Sequence, residues 1–288
     1  MAIREILLPL NSLATGEAGL GIAMTIAGKW NAHVTALHVL ADSRDLIPLA
    51  GEGMSGAMIE EMMLASERES RAQALAFRAM FERAAQRWDV AVDQPHYGLD
   101  HVTASFVEIA GNEEDVVAQR ARLADLTVVP HPRASDEVPS SDTLHAVLFD
   151  SGRPVLIVPG RAVATIGKRV CLAWNGTAES AEAVLAAMTW MHQAEAVRIL
   201  SAEGYQRRGP AAPSLAAYLA LHGVAADIEM FPPVRNSVGA GLLEAAQRFD
   251  CDLLSMGAYS RSRLRQLILG GVTRHVLESA TIPVLMTR

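Results

Sequence analysis

Asp250–Thr287 reads DCDLLSMGAYSRSRLRQLILGGVTRHVLESATIPVLMT, and this stretch decides the fold. Two short apolar runs, Cys251–Met256 (CDLLSM) and Pro283–Met286 (PVLM), have strand length. Between them the chain opens with Gly257, places a glycine pair at Gly270 and Gly271, and continues with helical periodicity through Val276 and Leu277. The order is strand, loop, helix, strand. A loop that leaves the carboxyl end of a buried strand and enters a helix offers backbone N–H groups and the positive helix end to an anion, usually a phosphate.

Upstream the same pattern occurs twice. Ile3–Leu10 (IREILLPL) is a dense apolar run of the kind that is covered on both faces in parallel sheets. Leu20, Ile22, Ala23, Ile26 and Ala27 recur at helical spacing within 16–30, and His33–Leu40 is a second strand, completing a β-α-β unit. Residues 42–55 read as a loop and 57–88 as a long amphipathic helix without proline or glycine. A third strand is expected over 90–97, a helix over 113–123, and strands at 125–130 and 154–159. After a linker at 159–167 the pattern restarts: Arg169–Asn175 repeats the first strand, Asn175 standing where Asn11 stood, and a helix over 177–192 repeats the first helix. A strand at 197–202, a helix at 211–222, a strand at 226–231 and a helix at 237–249 follow. The ends of the halves agree best, since ADLTVV from Ala124 precedes RPVLIVP from Arg153 as CDLLSM precedes IPVLMTR. The expected class is therefore α/β, with two tandem Rossmann-like domains over 1–160 and 168–288. Each is expected to be an open parallel sheet with helices on both faces. Ligands of such sheets bind beyond the carboxyl strand ends, where Asn175 and Gly257 would both lie.

Composition agrees with two globular domains. Half of the 288 residues are hydrophobic, and the formal charge of −7 provides no general attraction for nucleic acid or anionic lipid. A bound phosphate must be held locally. No long apolar segment follows the amino terminus, so the expectation is a cytoplasmic protein without a membrane partner. Cys171 and Cys251 fall in expected strands and read as reduced core residues. No HExxH, GxSxG, GxxxxGK[ST] or GxGxxG is present, which removes the zinc peptidase, serine hydrolase, P-loop and dinucleotide fingerprints. His38 and His275 read as packed or surface histidines, and Met58 and Met62, on one helix face, as packing residues.

With these residues in place, the chain resembles the universal stress proteins in their tandem, two-domain form. That family's nucleotide signature is a glycine, two residues, a glycine, nine residues, then glycine followed by serine or threonine. Here Gly257-Ala-Tyr-Ser260 opens it, the nine residues Arg261–Leu269 follow, and Gly270-Gly271 close it, with Val272 and Thr273 after. Ser260 replaces the second glycine, Gly271 replaces the hydroxyl residue, and Asn175 replaces an aspartate that usually ends the first strand and approaches the adenine.

The resemblance implies five-stranded sheets of order 3-2-1-4-5 in the adenine nucleotide α-hydrolase-like manner. It also implies ATP, with Mg2+, as the ligand of the second domain. The expected contacts are Asn175, Gly257, Ser260, Arg261, Gly270, Gly271, Val272 and Thr273, Arg261 being the arginine nearest the glycine turn. The missing hydroxyl at Gly271 costs about 1.5–3 kcal/mol of phosphate binding. The first domain's equivalent segment starts at His131, has prolines at 130, 132 and 139, and carries Asp136, Glu137 and Asp142, so it is expected to bind no nucleotide. The family dimerises through its last strand, which leaves open an internal pseudo-dimer and a further homodimer. A nucleotide-independent interaction protein is the alternative function. Slow ATP hydrolysis is a third option for which no residue is identifiable.

Overall fold

The computed structural model describes residues 2–40, 55–92, 100–131, 139–205, 209–258 and 271–288. The first half runs β1 (Glu5–Pro9), α1 (Leu13–Trp30), β2 (His33–Leu40), α2 (Gly56–Arg87), β3 (Ala91–Val92), β4 (Thr103–Ala110), α3 (Glu113–Ala121), β5 (Leu126–Pro130), α4 (Pro139–Asp150) and β6 (Val155–Val158). The second half runs β7 (Arg169–Ala173), α5 (Ala178–Met191), β8 (Ala196–Ala202), α6 (Ala212–Leu221), β9 (Asp227–Phe231), α7 (Val238–Arg248), β10 (Leu253–Gly257), α8 (Gly271–Ser279) and β11 (Val284–Thr287).

Local chemistry explains the helix starts. Ser55, Asn112, Thr177 and Ser237 each accept a hydrogen bond on their side-chain oxygen from the N–H three residues on, opening α2, α3, α5 and α7. Helix α1 ends at Asn31, which adopts the left-handed conformation and returns its N–H to Ala27 O. In α2 the buried residues are Ala74, Phe77, Met80, Phe81, Ala84 and Ala85, so only its carboxyl-terminal part packs on the sheet. Met58 and Met62, read from the sequence as packing residues, are exposed.

The strands form one 11-stranded sheet in the order β3-β4-β2-β1-β5-β6-β11-β10-β7-β8-β9. Within each half all pairs are parallel, and the second half has the expected 3-2-1-4-5 order. The first half has that order too, with the short β3 added at its edge. The halves meet where β6 and β11 pair antiparallel, Leu156 opposite Leu285, a contact of last strands made within one chain. Hydrophobic clusters on both faces run across this seam. Trp30 meets Trp190 edge to face at 4.7 Å, and Lys29 lies over the Trp190 ring and donates to Ile166 O. At the carboxyl end, Arg288 stacks on Phe149 at 4.1 Å.

Two elements differ from the sequence expectation. The third parallel strand is β4, Thr103–Ala110, whereas the strand expected over 90–97 is reduced to Ala91–Val92 with 93–99 outside the described residues. The cause is that buried positions of β4 are polar: the His33 imidazole bridges Thr103 Oγ1 at 2.7 Å and Ser105 Oγ at 2.9 Å, so the apolar alternation that marks a strand is absent. Helix α4 also went unassigned, although Pro139 at its first position suits a helix start. Cys171 and Cys251 are buried, and their mutual hydrogen bond, reinforced by burial, holds the Cys171 thiol far above its usual range. Cys171 is thereby held as a thiol.

Candidate functional site

At the carboxyl edge of the second half, β7 delivers Trp174, Asn175 and Gly176, and Gly176 turns the chain with φ +80° into the first turn of α5. The turn is held by a short relay. Asn175 Oδ1 accepts from Thr177 N–H at 3.1 Å and from Thr177 Oγ1 at 2.9 Å, while Thr177 Oγ1 accepts from Ser180 N–H at 3.4 Å. Asn175 is thus both an Asx turn and a support for the helix cap.

Gly257, the last residue of β10, lies against that first turn. A Cβ on Gly257 would stand 2.5 Å from Glu179 C, 2.7 Å from Glu179 O and 2.7 Å from Ser180 N, all backbone atoms that cannot yield. Only glycine lets the strand end approach the helix amino terminus this closely. Thr287, ending β11, donates from its hydroxyl to Glu179 O at 3.5 Å. Strand ends β7, β10 and β11 therefore converge beneath the positive end of α5.

Helix α8 starts at Gly271, where a side chain would meet nothing within 4 Å. Val272 is half-buried, and Thr273 is buried with Val276 and Leu277 on the packed face of the helix. Asn175, Gly257 and Gly271–Thr273 are thus placed. Ser260, Arg261 and Gly270 lie outside the described residues, as do Asp136 and Glu137 of the first half.

Sequence reading missed the cover of β7. Trp174 Nε1 donates to Pro210 O at 2.9 Å, and a Cβ on Gly209 would overlap Gly176 O. Gly209 and Pro210, ahead of α6, thus lie on the end of β7. The signal was present as a tryptophan before Asn-Gly and a Gly-Pro pair, neither of which says on its own that the other is near.

In the first half the same edge is filled by the chain itself. Asn11 Nδ2 donates to Glu113 Oε1 at 2.8 Å, and Thr143 Oγ1 donates to the same oxygen at 2.6 Å. This ties β1, α3 and α4 together. His38 is buried, with Nδ1 donating to Leu10 O at 2.9 Å and its ring on Phe77 at 4.5 Å. Burial pushes the Glu114 carboxyl up, and Asp142, Asp115 and Glu113 push it further, which reports crowded negative charge. An anionic ligand is disfavoured there. Among the described residues no group of three His, Cys, Asp or Glu is placed to hold a metal ion, and no helix is long and apolar enough to cross a membrane.

Residues 168–288 match the universal stress protein family model. A universal stress protein from Archaeoglobus fulgidus DSM 4304 superposes with a TM-score of 0.67 at 14% identity, covering 99% of this chain and 96% of that one. A putative universal stress protein from Pseudomonas aeruginosa UCBPP-PA14 superposes with a TM-score of 0.56 at 18% identity, covering 99% and 93%. No curated protein matches the sequence. Residues 168–288 thus carry the sequence pattern of the universal stress protein family, and the chain as a whole has the fold of the solved universal stress protein from Archaeoglobus fulgidus.

Proposed function

We propose that this protein is a cytoplasmic stress-response or regulatory protein that binds an adenine nucleotide, ATP with Mg2+, through its second half. The phosphates would rest on backbone N–H groups of the loop from Gly257 through Ser260 and Gly270 to Gly271 and Val272. Arg261 is the nearest cation by sequence, and the base lies toward Asn175. The observation that carries this reading is the fit of Gly257 against the first turn of α5, which leaves no room for a methyl group and brings a strand end and a helix amino terminus together. Mg2+ is assigned to the nucleotide's own phosphates, in the manner usual for that ion. Because the β6–β11 contact is made within one chain, the proposal requires no second copy.

Melting the protein with and without Mg2+–ATP tests the reading. At a hundred times its Kd the ligand adds about 2.7 kcal/mol of stability. Gly271→Asp supplies the control, because a side chain fits there and an acid favours a helix start, whereas a carboxylate repels phosphate. Stabilisation of the wild type and its loss in the variant support the site, and an equal response of the two removes it. A second reading, an interaction protein that needs no nucleotide, is favoured by the Gly209–Pro210 segment lying on the end of β7. It predicts no response in either protein.

A further inference from the structure

We propose that Lys29 is an acylation site, its side-chain nitrogen taking an acyl group from small acyl phosphates and thereby loosening a clasp between the two halves. The proposal stands apart from the nucleotide reading, because Lys29 meets the chain ahead of β7, at the end of that strand opposite Asn175. Lys29 and Lys168 are the chain's only lysines, and both lie at the joint between the halves. Their surroundings differ. Lys168 is exposed and pairs with Glu195 at 2.9 Å. Lys29, near the end of α1, is half-buried, donates to Ile166 O and lies 5.6 Å from the centre of the Trp190 ring. Among the described residues no carboxylate forms an ion pair with it. The amine thus clasps α1 of the first half to the linker and to α5 of the second.

A carbonyl and a ring face stabilise an ammonium less than a paired carboxylate does. Burial pushes the Lys29 pKa down; Asp252 opposes this, and Lys168 adds to it. For Lys168 the hydrogen bond and charge of Glu195 push the pKa up, with Asp252 adding to the rise and burial opposing it. At neutral pH a larger share of Lys29 is therefore the free amine, which is the nucleophilic form. Its lone pair attacks the carbonyl carbon of the acyl phosphate. The N–C bond forms, the bond from that carbon to the phosphate oxygen breaks, phosphate leaves with the electron pair, and the amine's proton goes to water. The product is a neutral amide, which takes the cation off the Trp190 ring and sets an acyl group where the amine met Ile166 O. Little room surrounds that place, since a Cβ on the neighbouring Gly167 would stand 2.5 Å from the Trp190 ring. Trp190 also meets Trp30 across the halves, so the disturbance falls on the packed seam.

Acetyl phosphate is the probe. The full chain is treated at neutral pH, and the acetyl occupancy of Lys29 and of Lys168 is followed in time by peptide mass spectrometry. Lys29 should acetylate about tenfold faster than Lys168, and the ratio should fall to near unity in urea, where the fold no longer distinguishes the two amines. Lys168→Arg should acetylate at Lys29 as the wild type does. The treated wild type should melt at a lower temperature than the untreated protein. Lys29→Arg, which keeps a cation at the clasp, should show no such drop after the same treatment. Acetylation of Lys168 at an equal or higher rate in the folded protein, or acetylation of Lys29 that leaves the melting temperature unchanged, overturns the proposal.

Discussion

The carboxyl edge of the first half and that of the second are built on the same strand order, yet they treat the same residue differently. Asn11 spends its amide on Glu113, which Thr143 also grips, whereas Asn175 is turned inward by Thr177 and keeps its amide nitrogen free of described partners. Where the second half ends its fourth strand with Gly257 pressed on a helix start, the first half ends the equivalent strand with Pro130. Duplication thus preserved the scaffold while the edge chemistry diverged. Strand order depends on buried apolar runs that tolerate exchange among similar residues, but an anion site depends on one or two positions where only a particular residue fits.

The largest expected contrast lies at the opposite, amino-terminal edge. The first strand of one half begins with Glu5 and that of the other with Arg169. Burial pushes the Glu5 carboxyl up to about 7 from an ordinary 4.5, partly offset by the hydrogen bond from Thr35 and reinforced by Asp125. Its folded-state pKa lies above the unfolded one, so the folded protein holds the proton more tightly. The stability it contributes is complete below about pH 4.5 and is lost as pH rises through 7. Relative to Glu5→Gln, the wild type should lose about 3 kcal/mol between pH 4.5 and 8 in urea titrations. A constant difference across that range breaks the assignment.

Next in size is Gly257→Val, expected to destabilise by about 2–3 kcal/mol through overpacking against Glu179 and Ser180, while Pro130→Val should change stability by less than about 1 kcal/mol. Equal effects would mean that the two strand ends are not differently packed. Glu113→Ala strands the buried Thr143 hydroxyl and the Asn11 amide, for about 1–2 kcal/mol measured by thermal melting. Smallest is Gly271→Ser, which returns a hydroxyl to the helix start in open space and should tighten Mg2+–ATP about tenfold by calorimetry. An unchanged Kd would place the phosphates elsewhere.

Most of the scaffold was legible because its signals are local. The apolar runs at Glu5–Pro9, Val155–Val158 and Leu253–Gly257 announced strands, and the recurrence of Asn11 as Asn175 announced the repeat. Strand β4 was not legible because its buried polar side chains are satisfied by His33, some seventy residues away. Of the candidate site, Asn175, Gly257 and Gly271 are singled out by spacing. Trp174, Gly176 and Gly209 were missed, because their importance arises from a meeting of β7 with the chain entering α6.

Sequence alone determined the α/β class and the doubling, since periodicity is a property of neighbouring residues. Tertiary structure alone decided that the two sheets join through β6 and β11, that Glu113 fills the first edge, and which way the Asn175 amide faces. Each of these depends on groups that meet only after the chain has closed, and hydrogen-bonding partners chosen across such distances leave no periodic trace along it.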